Sequence, residues 1–244
     1  MATKSHKKKH MNKVLKTVLI ILGTLAGVLL IFIMVYAGSI LKLRKNAKAV
    51  TSGVTADTFR QIETSIVYDI DGEEITSLSG TKDLHYISSS DMPDILKRAF
   101  VITEDRDFYS HHGVDLSAII RAAVANVKHN AIKQGASTIT QQLAKNMFLT
   151  QDVTWERKIT EMFAAMELEK KFSKEQILEF YINNIYYANG YYGIEAAAQG
   201  YFGKSVNDLS LSQLIFLVAI PNNPSKYDPV NNLDAAKSRR DLIL

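Results

Sequence analysis

The spacing of apolar and polar positions divides the chain into an unbroken apolar stretch, a short alternating stretch and a long remainder of helical period. From Thr17 to Leu41 no residue is charged, and Leu, Ile, Val, Phe and Met dominate. At ~1.5 Å per residue that stretch reaches across a bilayer core of ~30 Å, which predicts a transmembrane helix. It exceeds the apolar core of about 7–15 residues usual in a cleaved signal peptide and lacks a clear small-residue exit site, so an uncleaved anchor is expected. Thr64 to Leu78 alternates, with Ile66, Tyr68, Ile70 and Ile75 around Asp71-Gly72, the pattern of a β-hairpin. His85-Tyr86-Ile87 reads as one more short strand.

From Pro93 onward the period is helical. Pro93 to Thr103 carries Ile95, Leu96, Ala99, Phe100 and Ile102, with proline in the first turn. Val114 to Lys133 is basic and amphipathic, and suits either a core-facing helix or one lying at a lipid interface. Ser137 reads as the N-cap of a helix bearing Ile139, Leu143 and Met147. Trp155 to Phe172 has a stripe of Ile159, Met162, Phe163 and Met166. Ser173-Lys174-Glu175-Gln176 is a capping box that starts a fresh helix, and Ser210 to Gln213 caps an almost wholly apolar one reaching Ile220. The chain stops at Leu244 in the opening of another helix, as a partial sequence would.

Charge bears on the orientation of this plan. Residues 1–16 hold six lysines and no acid, a solvated basic tail; Lys42, Arg44, Lys45 and Lys48 follow the apolar stretch. The bias is modest and favours a cytoplasmic N-terminus with the remainder exported, so a role for the tail in nucleic-acid binding is not needed. The expected order is therefore tail 1–16, transmembrane helix 17–41, connector 42–62 and a mainly α-helical domain 63–244. The net charge of +4 belongs largely to the first 50 residues. Absence of cysteine excludes a disulfide framework, a thiolate metal site and a cysteine nucleophile.

Three stretches carry candidate chemistry. Glu104 to Gly113 packs three acids, an arginine and two histidines between apolar runs. Glu104, flanked by Phe100, Phe108 and Tyr109, suits a partly desolvated general base or, equally, a surface acid paired with Arg106. Gly135 to Gln142 places a glycine and hydroxyls ahead of a helix, where free N–H groups and the dipole favour phosphate; an ordinary cap has the same look. Arg157 and Glu161 are four apart and hence neighbours on a helix, either a surface ion pair or part of an anion site. Tyr186, Tyr187, Tyr191 and Tyr192 form an aromatic loop suited to sugar stacking or to packing.

Taken in order, these stretches resemble the peptidoglycan glycosyltransferase domain of class A penicillin-binding proteins and their monofunctional relatives. E-D-x-x-F-x-x-H-x-G is met by Glu104, Asp105, Phe108, His111 and Gly113; G-x-S-T-I-T-Q-Q by Gly135 to Gln142, followed by Lys145-Asn146. R-K-x-x-E appears as Arg157, Lys158 and Glu161, K-x-x-I-L-E-x-Y-x-N as Lys174 to Asn183, and A-A-x-x-Y-F-G-K as Ala197 to Lys204.

The resemblance implies a lysozyme-like helical fold with a small β element near the membrane. It implies inverting, processive transfer of a lipid-linked glycan onto the 4-hydroxyl of lipid II, with Glu104 as general base and Glu161 assisting the donor side. Lys145, Arg157 and Lys158 would neutralise the leaving diphosphate and Ser137 and Gln142 line the site, with Asp105, Phe108, His111, Thr138 and Asn146 as further substrate-binding positions. It implies Mg²⁺ or Mn²⁺ for some members, although no dedicated metal cage is visible in the sequence. It places the domain outside a bacterial cell membrane on a single-pass anchor, among cell-wall synthesis and division proteins. The segment Val218 to Pro224 and Gln213 depart from the commoner family pattern, and no K-T-G motif of a transpeptidase is present. A lysozyme-like hydrolase using Glu104 as acid, or an inactive scaffold, are the rival functions.

Overall fold

The long N-terminal helix α1 (Ala2–Ser52) is followed by a single turn of helix, α2 (Ala56–Arg60), in a computed structural model that describes residues 2–60, 65–78, 83–129 and 135–244. Two compact units result, Met1–Lys45 and Asn46–Leu244. In the first, apolar side chains such as Leu19, Ile20, Val28 and Val35 are exposed. Among the described residues no single helix is long and apolar enough to cross a membrane, but Leu15–Ile31 and Met34–Ser52, bent by 43°, pass that test together. The transmembrane helix expected at 17–41 falls within this pair, which passes by length and composition.

The second unit begins inside α1. Ala47 and Thr51 are buried, and the Lys171 ammonium donates to the carbonyls of Thr51 and Ser52, satisfying acceptors that a helix end leaves open. Residues 46–52, expected as connector, are therefore helical and built into the domain.

Strands β1 (Ser65–Tyr68) and β2 (Glu74–Leu78) pair antiparallel, with Ser65 opposite Leu78. The Asp69 carboxylate accepts the N–H groups of Asp71 and Glu73, and Gly72 takes φ +85, as the expected hairpin requires. The further strand, β3 (Asp83–Leu84), lies two residues before the expected one, parallel to β4 (Tyr191–Tyr192). Tyr86 and Ile87 are engaged elsewhere: the Tyr86 hydroxyl donates to Glu179 and the Ile87 N–H to the Asn183 side chain.

The helices follow as α3 (Asp94–Glu104), α4 (Leu116–His129), α5 (Ile139–Phe148), α6 (Trp155–Leu168), α7 (Lys174–Asn184), α8 (Ile194–Phe202), α9 (Leu211–Ala219) and α10 (Leu233–Ile243). Helix α7 is the axis of the core: every residue from Ile177 to Asn184 is buried. Helix α5 packs on both α6 and α7, and α9 on both α3 and α10. Phe59 of α2 stacks on Phe180 with ring centroids 4.2 Å apart, while Phe100, Phe108, Ile139, Leu143, Leu168 and Tyr181 fill the interior. The capping boxes at Ser173 and Ser210 are present as expected.

Three expectations shift. Helix α6 stops at Leu168 rather than Phe172, and the Lys171 N–H closes a tighter three-residue turn onto the Leu168 carbonyl. The N-cap of α5 is Thr138, not Ser137; the Thr138 hydroxyl accepts the Gln141 N–H and donates to the Gly113 carbonyl at 2.7 Å, a tertiary bond that decides which hydroxyl caps. The tyrosine loop divides: Tyr187 is fully buried and an added Cβ on Gly200 would meet the Tyr191 ring at 2.1 Å, whereas Tyr186 is exposed. Of the expected helix Val114 to Lys133, residues 130–133 lie outside the described residues.

Candidate active site

Glu104 is the last residue of α3, where the helix must stop because Asp105 turns extended with φ −159. Its Oε2 accepts the Gln142 amide N–H at 3.1 Å. Its Oε1 is buried without a hydrogen-bond partner among the described residues. Burial pushes the carboxyl above the usual range, opposed by the Gln142 bond, the Arg239 charge and the Asn222 amide, with Asp105 adding a smaller upward push. Gln142 is held in turn by the Tyr181 hydroxyl, which donates to its carbonyl oxygen at 3.0 Å. The expected alternative, a surface acid paired with Arg106, does not occur: the Arg106 Nε donates to the Ile102 carbonyl.

The adjacent residue on α5, Gln141, reaches the other carboxylate. Its amide donates to Glu161 Oε1 at 3.2 Å. Lys158 donates to that oxygen too, and Arg157 Nη1 lies 2.5 Å from Glu161 Oε2. Spacings of three and four on α6 bring both cations onto the Glu161 face. The Glu161 side chain is only 2% exposed, a charge buried with its countercharges. The Lys158 ammonium also donates to Ser137 at 2.7 Å, the contact that occupies Ser137 in place of capping.

The Lys145 side chain, one turn beyond Gln141 and Gln142, forms no ion pair or hydrogen bond among the described residues, so its ammonium is uncommitted. Asn146 beside it is exposed. Asp105, Phe108, His111 and Thr138 sit deeper: Phe108 is fully buried, the Asp105 carboxylate accepts from the Ile139 N–H and His111 Nε2, and Thr138 caps α5. These four stand beneath the site and hold it.

Glu104 and Glu161, far apart in sequence, are thus tied to consecutive side chains of one helix turn. Gln141 and Tyr181 lie within the matched motifs but were given no role there. Nothing local marks Arg239. Among the described residues no group of three His, Asp or Glu side chains is arranged to hold a metal ion. Glu161 is taken up by two cations and an amide, so the residues present do not form a divalent-cation cage, and no step is assigned to one.

A buried carboxylate with one unpartnered oxygen and a second carboxylate held by two cations thus meet one turn of α5 in a mainly helical domain. The chain belongs to the transglycosylase family, whose model matches residues 71–244. It is 43% identical over 218 residues to penicillin-binding protein 1A of Aquifex aeolicus (strain VF5), covering 89% of this chain and 30% of that protein. It is 42% identical over 184 residues to penicillin-binding protein 4 of Bacillus subtilis (strain 168), covering 75% of this chain and 30% of the relative. The chain spans less than a third of the length of these relatives. A crystal structure of penicillin-binding protein 1A from Haemophilus influenzae matches at TM-score 0.40 and 23% identity, over 74% of this chain and 17% of its own.

Proposed function

We propose that this domain is a peptidoglycan glycosyltransferase that polymerises lipid II, transferring the lipid-linked glycan onto the 4-hydroxyl of the next lipid II with inversion. The observation that carries the proposal is the pairing of the two carboxylates through Gln142 and Gln141. Glu104, desolvated and with one oxygen free, takes the proton from the acceptor hydroxyl as the glycosidic bond forms. Bond formation expels the polyprenyl diphosphate, which needs positive charge in place of water. Lys145 supplies it outright, while Arg157 and Lys158 are held in readiness by Glu161. Glu161 acts on the donor side by placing these cations; both its oxygens are occupied, which leaves it no role as a proton acceptor.

The exposed apolar stretch of α1 serves as the membrane anchor, with the basic tail cytoplasmic and the domain outside the cell membrane, where its lipid-linked substrate lies. The fold in this reading is lysozyme-like. The full chain in detergent, given lipid II, is expected to make polymeric glycan and to leave preformed glycan intact. Release of fragments from preformed glycan, with lipid II unpolymerised, would make it a hydrolase instead.

A further inference from the structure

Lys174, the first residue of α7, stands outside the residues given a chemical step above, yet it is the hub of a buried polar chain. Its ammonium lies 2.7 Å from Glu169 Oε1, 3.4 Å from His111 Nδ1 and 4.5 Å from the centroid of the Phe108 ring. Glu169 Oε1 also accepts the Thr140 hydroxyl at 2.6 Å. On the other side, His111 Nδ1 accepts the Gly113 N–H at 3.2 Å, so that nitrogen carries a lone pair. The ring proton is left on Nε2, which donates to Asp105 Oδ2 at 2.9 Å. The same Asp105 oxygen accepts the Ile139 N–H at 3.0 Å.

Two arms therefore leave Lys174 and end on consecutive residues of α5, one through His111 and Asp105 on Ile139, the other through Glu169 on Thr140. The next two residues are Gln141 and Gln142, whose amides reach Glu161 and Glu104. The side chains of Asp105, His111 and Glu169 are 4–6% exposed, a setting in which two carboxylates need a cation between them. A helix start clamped at its first two positions has little freedom to move the third and fourth.

We propose that Lys174 is a positioning residue: its ammonium joins both arms, holds His111 as the Nε2–H tautomer, and so fixes the reach of Gln141 and Gln142 to the two carboxylates. The proposal rests on the reading of Glu104 as the base, and deepens it. It touches no substrate itself.

The test uses the full chain in detergent, with Lys174→Met, which keeps length without charge, and Lys174→Arg, which keeps charge. With lipid II as substrate, Lys174→Met is expected to lower kcat about 10–100-fold with KM within about threefold, and Lys174→Arg to recover most of the loss. The ¹⁵N ring signals of His111, assigned by comparison with His111→Gln, are expected to show one Nε2–H tautomer in the parent and to lose that pattern in Lys174→Met. Unchanged kcat, an arginine variant as poor as the methionine one with an equal fall in Tm, or a ring pattern indifferent to the substitution would each overturn the proposal.

If Lys174→Met does not fold, Thr140→Val cuts one arm alone: a fall in kcat at constant KM supports the proposal, and an unchanged kcat refutes it. The ring spectrum does not depend on turnover. It stands on its own if Glu104→Gln still polymerises lipid II, a result that removes the base and leaves the clamp.

Discussion

Glu104 and Glu161 are the same side chain in opposite surroundings. Glu161 has both oxygens engaged, by Arg157, Lys158 and Gln141, and is nearly sealed from solvent. Glu104 accepts one hydrogen bond on one oxygen, leaves the other empty, and is pushed toward its protonated form by burial. The first arrangement fixes cations in place; the second favours a group poised to exchange a proton. Environment, not residue type, divides the labour between two carboxylates served by neighbouring glutamines.

The largest effect expected from breaking this contrast is at Glu104. Glu104→Gln should lower polymerisation by about 10²–10⁴-fold, the usual share of a general base, measured as glycan formed from lipid II. The same variant should melt at a higher temperature near neutral pH. The sign follows from linkage: a carboxyl raised in the folded state contributes stability below its unfolded pKa that is lost as pH rises through the folded value, so removing the charge helps at neutral pH and not in acid. Equal melting temperatures for parent and variant at neutral pH would mean that Glu104 is not desolvated.

Next comes Lys145→Met, expected to cost about 10²–10³-fold in kcat if, as proposed above, this uncommitted cation neutralises the leaving diphosphate. A loss confined to KM would assign Lys145 to ground-state binding alone.

A smaller pair of variants sharpens the comparison. Gln142→Leu removes a hydrogen bond that favours the Glu104 anion, worth about 1.5–3 kcal/mol, so the acid limb of kcat/KM should move to higher pH. Glu161→Gln should lower kcat by about 10–100-fold through loosened cations and leave that limb where it was. If both variants move the limb, the two carboxylates share one titration and the division of roles fails.

Gly113→Ala is read in stability rather than in rate. There φ is +92, and a Cβ would meet the backbone of Ala165 and Met166 at 2.8 Å, which should cost about 2–4 kcal/mol of stability in denaturant unfolding.

Much of this was legible along the chain. The apolar stripes placed α3 to α7 and α9 within a few residues, and the boxes at Ser173 and Ser210 marked two starts, because local hydrogen bonding and burial of one face decide those features; α8 was not read as a helix, and α10 begins six residues before the expected one. Where tertiary bonds compete, the local signal loses. Thr138 displaced Ser137 as cap because the Gly113 carbonyl claims its hydroxyl, and Tyr86 left the strand register because Glu179 claims it.

By itself the sequence determined which residue types are at hand: two candidate carboxylates, a basic pair three and four positions before one of them, and a lysine one turn into a helix. Only the tertiary structure decided that Glu104 keeps an oxygen free while Glu161 has none, and that Lys174, His111 and Glu169 converge beneath the start of α5. Helical period and capping act over four residues and can be read in order. Desolvation and charge pairing depend on what the fold brings alongside, and for Glu104 that includes Arg239, from a helix near the other end of the chain.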